Sequence, residues 1–317
     1  MKEVVYLILN VLVGLPGSGK STYCCNQENS DFIVLSSDEI RKKYSLDPNN
    51  TNDNIRCFNI LNKELFRLLN LGENVIYDTT NVSSERRIGL INTVKQNVTS
   101  ENLHIISTLF ATPFEECCRR VKLRNLNDIN FMGSEVVEKF YKQFECPNVF
   151  EGFERISIIY SDNSKGSKTY NSYELQNIKH ETPYHLETVG EHCDMVERLM
   201  FESLTSLDIP ETDQRLLLES SRLHDIGKKY TKFFKNNEIT AHYYNHENVG
   251  SYDSLFFDSP DDLYTLERSF LVGWHMRSYR WENKGVIDKY RNLLGDRLFG
   301  YLQKIHELDD KGRIKEV

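Results

Sequence analysis

Residues Gly14 to Thr22 read GLPGSGKST, and this stretch decides how the first half of the chain is interpreted. It follows the apolar run Val4–Val13 and precedes a helical pattern at Ser21–Asn26. The pattern G-x-x-x-x-G-K-[ST] between a strand and a helix is typical of a loop whose backbone N–H groups surround phosphates. Lys20 is therefore expected to contact the β- and γ-phosphates of ATP, and the Ser21 hydroxyl is expected to bind Mg²⁺. The residues predicted to form this ATP site are Gly14, Leu15, Pro16, Gly17, Ser18, Gly19, Lys20, Ser21 and Thr22.

Short apolar runs alternate with helical patterns over residues 1–162. This alternation predicts an α/β domain, in which a parallel sheet carries helices on both faces. The predicted strands are Val4–Val13, Phe32–Leu35, Asn74–Tyr77, Leu103–Phe110 and Ile156–Tyr160. The predicted helices are Ser21–Asn26, Ile55–Asn70, Ser84–Asn97, Pro113–Asn125 and Ser134–Phe144.

The second half of the chain has a different pattern. Residues 163–180 are rich in Ser, Asn, Lys and Gly, and this composition predicts a linker. Beyond Pro183 the patterns are helical and strand candidates disappear, so residues 181–317 are predicted to form an all-α domain. The predicted helices are Thr188–Ser206, Glu211–His224, His246–Phe257, Asp261–His275 and Asp288–Leu308. A chain of 317 residues is long enough for two such domains.

Composition is that of an ordinary globular protein, with 39% hydrophobic and 27% charged residues. No apolar run reaches the roughly 20 residues of a transmembrane helix, and Asn10 within Val4–Val13 favours a buried strand over a signal peptide. Seven cysteines without a C-x-x-C pattern predict reduced thiols and a cytoplasmic location. The formal net charge of −8 argues against general coating of nucleic acid but is compatible with binding at an end.

Polar side chains suited to phosphoryl transfer follow the predicted strands. Asp38 and Arg41 form a D-x-x-R pattern, in which a carboxylate can accept a hydroxyl proton and an arginine can hold a phosphate. Asp78 ends the third strand and is a candidate for substrate binding. Arg120 and Arg124 share one helix face, as a lid over a triphosphate requires. Two simpler interpretations stay open: Asp38 as a helix cap, and the two lid arginines as a solvated basic face.

In this order, GLPGSGKST, D-x-x-R, DTTN and R-x-x-x-R resemble the polynucleotide 5′-kinases of phage and bacterial end-healing enzymes. The resemblance covers about residues 5–160 and includes Phe144–Pro147 and Glu151–Phe153. It implies that Asp38 is the general base on the acceptor 5′-hydroxyl and that Arg41 contacts the acceptor's phosphate. The residues implied to act in phosphoryl transfer are Lys20, Asp38, Arg41, Arg120 and Arg124.

Histidines and aspartates in the second half are spaced as metal ligands often are. Neutral imidazole and carboxylate together suit borderline divalent ions such as Mn²⁺, Co²⁺ or Ni²⁺. An isolated histidine on a helix is usually structural, but six of the nine histidines lie between His180 and His306. His185 and His192 are seven residues apart, which predicts one face of a helix. The predicted ligands are His192, His224, Asp225, His246, His275 and Asp309, and further candidates for substrate binding are His185 and His242.

The string HDIGK at His224–Lys228 resembles the HD phosphohydrolase superfamily. The strings PYHLETVGEH, RLHDIGKK, NHENVG, LVGWHM and DDKGR are similar to the HD domain of tRNA nucleotidyltransferases, which removes 2′-phosphates and opens 2′,3′-cyclic phosphates. The resemblance covers about residues 183–313. It implies that His192, His224, Asp225 and Asp309 hold a core metal, that His246 and His275 hold a second ion, and that Lys228 contacts a substrate phosphate.

Together the two halves predict an end-healing enzyme with a kinase unit followed by an HD-type unit. The first would use ATP and Mg²⁺ to phosphorylate 5′-hydroxyl ends of broken RNA or DNA. The second would use one or two transition-metal ions to remove a 2′,3′-cyclic phosphate or a 2′- or 3′-phosphate, and a separate nucleic-acid ligase would join the products. Two alternatives stay open: a nucleoside or small-molecule kinase fused to an HD nucleotidase, and a non-enzymatic protein in which nucleotide binding switches a helical binding domain.

Overall fold

The computed structural model describes residues 6–27, 30–125, 133–205 and 208–314. The chain divides into two compact units. The first consists of Met1–Phe140 and Pro147–Asp162, and the second of Tyr141–Cys146 and Asn163–Val317. Among the described helices, none is both long and apolar enough to cross a membrane.

Five parallel strands form the sheet of the first unit, in the order β2-β3-β1-β4-β5. The strands are β1 (Leu7–Val13), β2 (Phe32–Ser36), β3 (Asn74–Asp78), β4 (Leu103–Ala111) and β5 (Arg155–Tyr160). The helices are α1 (Lys20–Cys25), α2 (Ser37–Tyr44), α3 (Thr51–Asn70), α4 (Ser84–Asn97), α5 (Phe114–Asn125) and α6 (Ser134–Tyr141), and a 3₁₀ helix spans Val149–Glu151. The predicted parallel sheet with intervening helices is confirmed.

Central strand β1 is apolar towards both faces of the sheet, because side chains alternate between the faces of a strand. Leu9 and Val11 belong to a buried cluster that includes Leu61 of α3. Leu12, on the opposite face, packs with Cys24 of α1. A strand buried on both sides reads as a continuous apolar run, which is why the sequence reveals it so clearly.

Helix α3 begins four residues earlier than its predicted start at Ile55, because Asn50 caps it. The Asn50 side chain accepts hydrogen bonds from the backbone N–H groups of Asn52 and Asp53, at 2.9 and 3.1 Å. The first turn is polar, so the apolar periodicity on which the prediction relied does not extend into it.

The second unit is mainly helical, as predicted. Its helices are α7 (Ser172–Gln176), α8 (Val189–Leu204), α9 (Glu211–Leu223), α10 (Lys228–Thr231), α11 (His246–Ser254), α12 (Asp262–Trp274) and α13 (Lys284–Gly312), with a 3₁₀ helix at His275–Arg280. The α13 backbone is non-helical at Gly295. The prediction that this unit contains no strands is wrong, since β6 (Phe233–Phe234) and β7 (Ala241–His242) form an antiparallel hairpin. A two-residue ladder is too short to produce a detectable alternation of apolar residues.

The predicted linker at residues 163–180 is wrong, because this segment packs within the second unit. Leu175 of α7 is buried beside Val189 and Leu223, and His180 is buried as well. The Lys168 backbone N–H donates to the carbonyl of Phe256 at 3.0 Å. Polar residues dominate the composition of the segment, but its few apolar side chains attach it to the helices.

Candidate functional site

The loop between β1 and α1 has a backbone path that depends on glycine. Gly17 and Gly19 have φ angles of 82° and 105°, in the left-handed region that side chains disfavour. A Cβ on Gly17 would also lie 2.7 Å from the carbonyl oxygen of Cys117 in α5. The loop thus passes close to α5 and then enters a helix N-terminus, an arrangement in which N–H groups can bind phosphate.

Lys20, the first residue of α1, turns back over this loop. Its Nζ donates to the carbonyl oxygens of Gly14 and Leu15, at 2.7 and 2.9 Å. Burial lowers the pKa of Lys20, and the nearby Asp78 carboxylate opposes that shift. Ser21, the predicted Mg²⁺ ligand, and the neighbouring Thr22 are exposed in the first turn of the helix.

Two aspartates lie at the same edge of the sheet as the loop. Asp78 ends β3 opposite Ser36 of β2, and Asp38 follows in the first turn of α2. Burial raises the pKa of Asp78, against the effect of Lys20, whereas the Asp38 side chain is 77% exposed. The cap of α2 is Ser36, whose hydroxyl accepts from the Asp38 N–H at 3.3 Å. The Asp38 carboxylate does not serve as the helix cap and is accessible.

Arg41 lies beside Asp38, one helical turn further along α2. Its Nη1 is 3.1 Å from Asp38 Oδ1, and its Nη2 donates to Asn54 Oδ1 at 3.1 Å. The side chain is 18% exposed. The guanidinium is therefore held in place next to the candidate general base while part of it can still reach a ligand.

The two predicted lid arginines of α5 are placed differently. Arg120 Nη1 approaches the carbonyl oxygen of Gly17 at 3.5 Å, and its Nε donates to Glu116 at 2.7 Å. Hydrogen bonds from Arg119 and Arg120 lower the pKa of Glu116 to about 2. Arg124 lies a turn further along and is exposed. Arg120 is thus the lid residue next to the phosphate loop in this structure.

In the second unit, four predicted ligands place their donor atoms together at the end of α8, α9 and α13. His192 Nε2 is 3.0 Å from Asp309 Oδ1, 3.3 Å from His224 Nε2 and 3.8 Å from Asp225 Oδ2. His224 Nε2 is 3.4 Å from Asp225 Oδ2 and 3.8 Å from Asp309 Oδ1. Ligands about 2.1 Å from one ion are roughly 3.0–3.4 Å apart, so this set fits a divalent metal after small adjustments.

The other carboxylate oxygen of Asp225 belongs to a second set. His246 Nε2 is 3.1 Å from Asp225 Oδ1, and His275 Nε2 is 3.9 Å from it. The two imidazole nitrogens are 3.3 Å apart. Asp225 therefore faces both sets, as a carboxylate that bridges two metal ions does.

The outer nitrogens of these imidazoles indicate which tautomer each ring adopts. The Nδ1 atoms of His224, His246 and His275 lie 2.7–2.8 Å from backbone carbonyl oxygens, to which an N–H must donate. His192 Nδ1 instead faces the Glu187 carboxylate at 3.3 Å. In the neutral form that binds a metal, the rings of His224, His246 and His275 therefore direct their Nε2 lone pairs to the centre.

The charge balance of the cluster also fits a cation. Burial opposes ionisation of Asp225, yet Lys228 and His224 lower its pKa well below the usual value. Burial is likewise outweighed at His192, where Asp309 and Glu187 raise the pKa to about 9. The ionised Asp225 carboxylate is thus buried among imidazoles, and positive charge stabilises it.

Three side chains contact the two carboxylates, and two of the three, Lys228 and Arg313, are cations. Lys228 Nζ lies 2.5 Å from Asp225 Oδ2 and 3.1 Å from His180 Nε2. Tyr279 donates to Asp309 Oδ2 at 2.6 Å, and Arg313 contacts both the Tyr279 hydroxyl and the Asp309 carboxylate. A cleft of about 280 Å³ opens here, and its lining includes His180, Thr182, Tyr184, His185, Asp225, Lys228, Tyr243, Tyr244, His246, Met276, Asp309 and Arg313. A larger cleft of about 450 Å³ is lined by residues of α13 and its neighbours but by none of the predicted ligands.

His185 lies in this cleft, but the prediction that it shares a helix face with His192 is wrong. Thr188 caps α8, so His185 precedes the helix and does not share a face with His192. The two rings are nevertheless 4.8 Å apart, and His185 Nδ1 lies 2.6 Å from the Glu187 carboxylate. His180 and Glu187, which were not predicted as site residues, complete this group. Glu187 lies within the string PYHLETVGEH but was given no role there, and His180 falls within the segment that we predicted to be a linker.

His242 lies outside the cleft lining. It belongs to β7, and its Nε2 is 2.6 Å from the Glu238 carboxylate. His242 precedes α11, which begins at His246.

Comparison with protein families locates a match in the first unit. Residues 9–147 match the family model described as an AAA domain. The chain is 28% identical over 167 residues to transcription factor bHLH140 of Arabidopsis thaliana, a match that covers 51% of this chain and 16% of that protein. It is similar to a chain of the Pnkp1/Rnl/Hen1 RNA repair complex, with 26% identity, a TM-score of 0.39 and coverage of 45% of each chain. It is also similar to a fungal RNA kinase, with 16% identity, a TM-score of 0.38 and coverage of 68% and 96%.

The matched residues contain the phosphate loop and four of the five parallel strands. These features define the first unit as a P-loop kinase-like domain, for which ATP is the expected phosphate donor. The chain spans 16% of the length of the curated relative that it matches.

Proposed function

We propose that the protein heals broken nucleic-acid ends by two reactions, one in each unit. The observation that carries this proposal is the presence, on one chain, of a phosphate loop and of a buried histidine–aspartate cluster with two ligand sets. The first arrangement suits transfer of a phosphoryl group from ATP, and the second suits hydrolysis of a phosphate ester.

In the kinase reaction, Asp38 accepts the proton of the 5′-hydroxyl that attacks the γ-phosphate. Its exposure and its position beside Arg41 support this role, since Arg41 can hold the acceptor's phosphate at the same time. Lys20 and Arg120 stabilise negative charge on the transferred group. Ser21, exposed in the first turn of α1, is the residue that would hold Mg²⁺.

In the hydrolytic reaction, the six candidate ligands would hold one or two divalent ions, with Asp225 facing both ligand sets. Bound ions of this kind supply Lewis-acid activation of water and of the phosphate. Lys228 lines the cleft beside Asp225 and can bind a phosphate oxygen of the substrate, and Arg313 offers a second cation on the other side of Asp309. We also propose that His185, in the second unit, and Asp78, in the first unit, bind substrate.

The two reactions fit one biological need. Many RNA breaks leave a 5′-hydroxyl and a 2′,3′-cyclic phosphate, and a ligase that seals 5′-phosphate to 3′-hydroxyl ends can use neither. The kinase unit would repair the first end and the second unit would clear the other. A separate nucleic-acid ligase is the partner that these products imply.

A single oligonucleotide tests the proposal. RNA with a 5′-hydroxyl and a 2′,3′-cyclic phosphate is incubated with the full chain, ATP, Mg²⁺ and Mn²⁺, and both ends are read by mass spectrometry. We expect a phosphate gained at the 5′ end and lost at the 3′ end, with the second change dependent on Mn²⁺ or a similar ion. An oligonucleotide that stays unchanged at both ends, under all of these metals, contradicts the proposal.

A nucleoside kinase fused to a nucleotidase is the second candidate, because a cleft of about 280 Å³ also suits a mononucleotide. The two candidates differ in the acceptor. If Arg41 holds a polynucleotide phosphate, a 3′-phosphorylated nucleoside should be a better acceptor than the bare nucleoside by about ten- to a hundredfold in kcat/KM. Arg41→Ala should remove most of this preference and leave the KM for ATP little changed. Equal efficiency on both acceptors favours the nucleoside kinase, and turnover of any substrate excludes a purely non-enzymatic switch.

A further inference from the structure

The β6–β7 hairpin exposes an unusual group of aromatic side chains. Phe233, Phe234 and Tyr244 are 39%, 48% and 56% exposed. Exposed aromatic residues that adjoin one another, rather than being scattered singly, commonly mark a binding surface. The two proposed reactions assign no role to Phe233, Phe234 or Tyr244.

Three of the rings form one continuous surface. The Phe233 ring centroid lies 5.5 Å from that of His242 and 5.4 Å from that of Tyr244, and the last two are 5.4 Å apart. Phe233 and His242 are directly paired across the hairpin, which places their side chains on the same face. We call Phe233, His242 and Tyr244 the aromatic platform.

Positive charge accompanies the exposed rings. Lys235 Nζ lies 5.7 Å from the Tyr244 centroid, and Lys232 Nζ lies 5.7 Å from that of Phe234. Single-stranded nucleic acid is bound by this combination, because bases stack on aromatic rings while cations attract the backbone phosphates. Acidic groups are also present, since Glu238 pairs with His242 and Glu181 with Lys232. Lys232 is thus paired, and Lys235 hydrogen-bonds to Tyr244, which keeps its charge at the edge of the platform, where a backbone phosphate would pass.

The platform is continuous with the metal cleft. Tyr244 belongs to the platform and also lines the cleft, next to Tyr243, whose ring lies beneath Lys228 at 5.6 Å. A strand whose terminal phosphate reaches Asp225 and Lys228 would therefore pass over Tyr244 towards Phe233.

We infer that the β6–β7 hairpin is a stacking platform for the unpaired bases that precede the phosphate end in the second unit. This inference rests on the proposed hydrolytic function and deepens it by assigning single-stranded nucleic acid, rather than a mononucleotide, as the preferred substrate. Because one stacked base changes affinity by about five- to a hundredfold, the platform should act mainly on KM.

The first test compares two substrates of the metal-loaded full chain: a nucleoside 2′,3′-cyclic phosphate and a single-stranded hexanucleotide with the same terminus. The wild-type protein should prefer the hexanucleotide, and Phe233→Ala should reduce that preference about five- to a hundredfold through KM. Phe233→Tyr should retain it. Ile239→Ala, which alters a 92% exposed side chain of the same hairpin, is the matched control and should retain it as well. An unchanged preference in Phe233→Ala, or an equal loss on both substrates, overturns the inference.

A second test separates this inference from the proposed function. Binding of the hexanucleotide, labelled with a fluorophore, is measured by anisotropy for the full chain and for Phe233→Ala, with a duplex of the same sequence as competitor. We expect weaker binding by the variant and poor competition by the duplex, whose bases are already stacked. If neither substrate is hydrolysed, the proposed function fails while this measurement still decides on the platform. Equal binding by both proteins overturns the inference that the platform stacks bases, even if hydrolysis is observed.

Discussion

In the proposed function, the two candidate sites would bind phosphate with different parts of the protein. In the first unit the phosphate loop is a contiguous segment whose backbone path depends on Gly17 and Gly19. In the second unit the cluster consists of side chains from several helices, and its ligands His192 and Asp309 are 117 residues apart. The first site is partly exposed, whereas all six ligands of the second are buried.

This difference determines what each site depends on. Backbone N–H groups need only the correct local conformation, so the loop depends on glycine and on the strand and helix beside it. Imidazole and carboxylate ligands also need partners that fix their orientation, such as the Glu187 carboxylate and the Tyr279 hydroxyl. Close approach matters too: a Cβ on Gly227 would lie 2.0 Å from the carbonyl oxygen of His246, so α11 can pack there only against glycine.

The largest expected effect comes from the residue that joins the two ligand sets. Asp225→Asn should lower hydrolysis of the 3′-end phosphate by roughly a thousandfold or more, because a metal contributes several kcal/mol to the transition state. Kinase activity should persist, since the phosphate loop belongs to the other unit. Asp296→Asn, which alters a 92% exposed aspartate of α13, is the control and should remain active. Loss of both activities in a folded Asp225→Asn protein would contradict the separation of the sites.

The converse experiment concerns the lysine of the phosphate loop. Lys20→Ala should reduce 5′-phosphorylation by about a hundred- to a thousandfold, because it removes a cation from the transferred phosphoryl group. Hydrolysis at the 3′ end should be retained. Lys63→Ala, at an exposed position of α3, controls for the loss of a surface charge. If Lys20→Ala phosphorylates 5′ ends at the wild-type rate, the proposed role of the phosphate loop is contradicted.

A smaller effect should reveal how the cluster depends on its surroundings. Glu187→Gln keeps the shape of the side chain but weakens its interaction with His192 and His185, so the affinity for Mn²⁺ should fall about ten- to a hundredfold. Competition with a chelating dye measures this affinity directly. Glu202→Gln, at an exposed position of α8, should bind Mn²⁺ as the wild type does. An unchanged affinity in Glu187→Gln would show that the carboxylate does not support the ligand.

The smallest effect distinguishes the two lid arginines. Arg120→Ala should lower the kinase kcat/KM about tenfold, because its guanidinium lies beside the loop, as a charge-assisted contact to a phosphate requires. Arg124→Ala should lower it less, since Arg124 is exposed a turn away. Steady-state kinetics with ATP as the varied substrate provide the measurement. A larger loss in Arg124→Ala would mean that α5 moves when ATP binds.

The sequence predicts the first unit better than the second for a physical reason. Its strands are buried on both faces and its loop is contiguous, so both leave local patterns, and the five strands are found where they were expected. The ligands of the second unit are signalled by HDIGK and by their spacing. However, neither HDIGK nor the ligand spacing indicates that His180 and Glu187 support the cluster, because this contact arises from tertiary packing. The short β6–β7 hairpin and the packed segment 163–180 were missed for the same reason.

The most direct test of two independent sites on one chain is a mixing experiment. The Lys20→Ala and Asp225→Asn proteins are incubated separately and together with RNA that carries a 5′-hydroxyl and a 2′,3′-cyclic phosphate, in the presence of ATP, Mg²⁺ and Mn²⁺. Mass spectrometry of the products should show one altered end with each variant alone and both altered ends with the mixture. A mixture that leaves either end unchanged, while the wild-type protein alters both, would contradict the account.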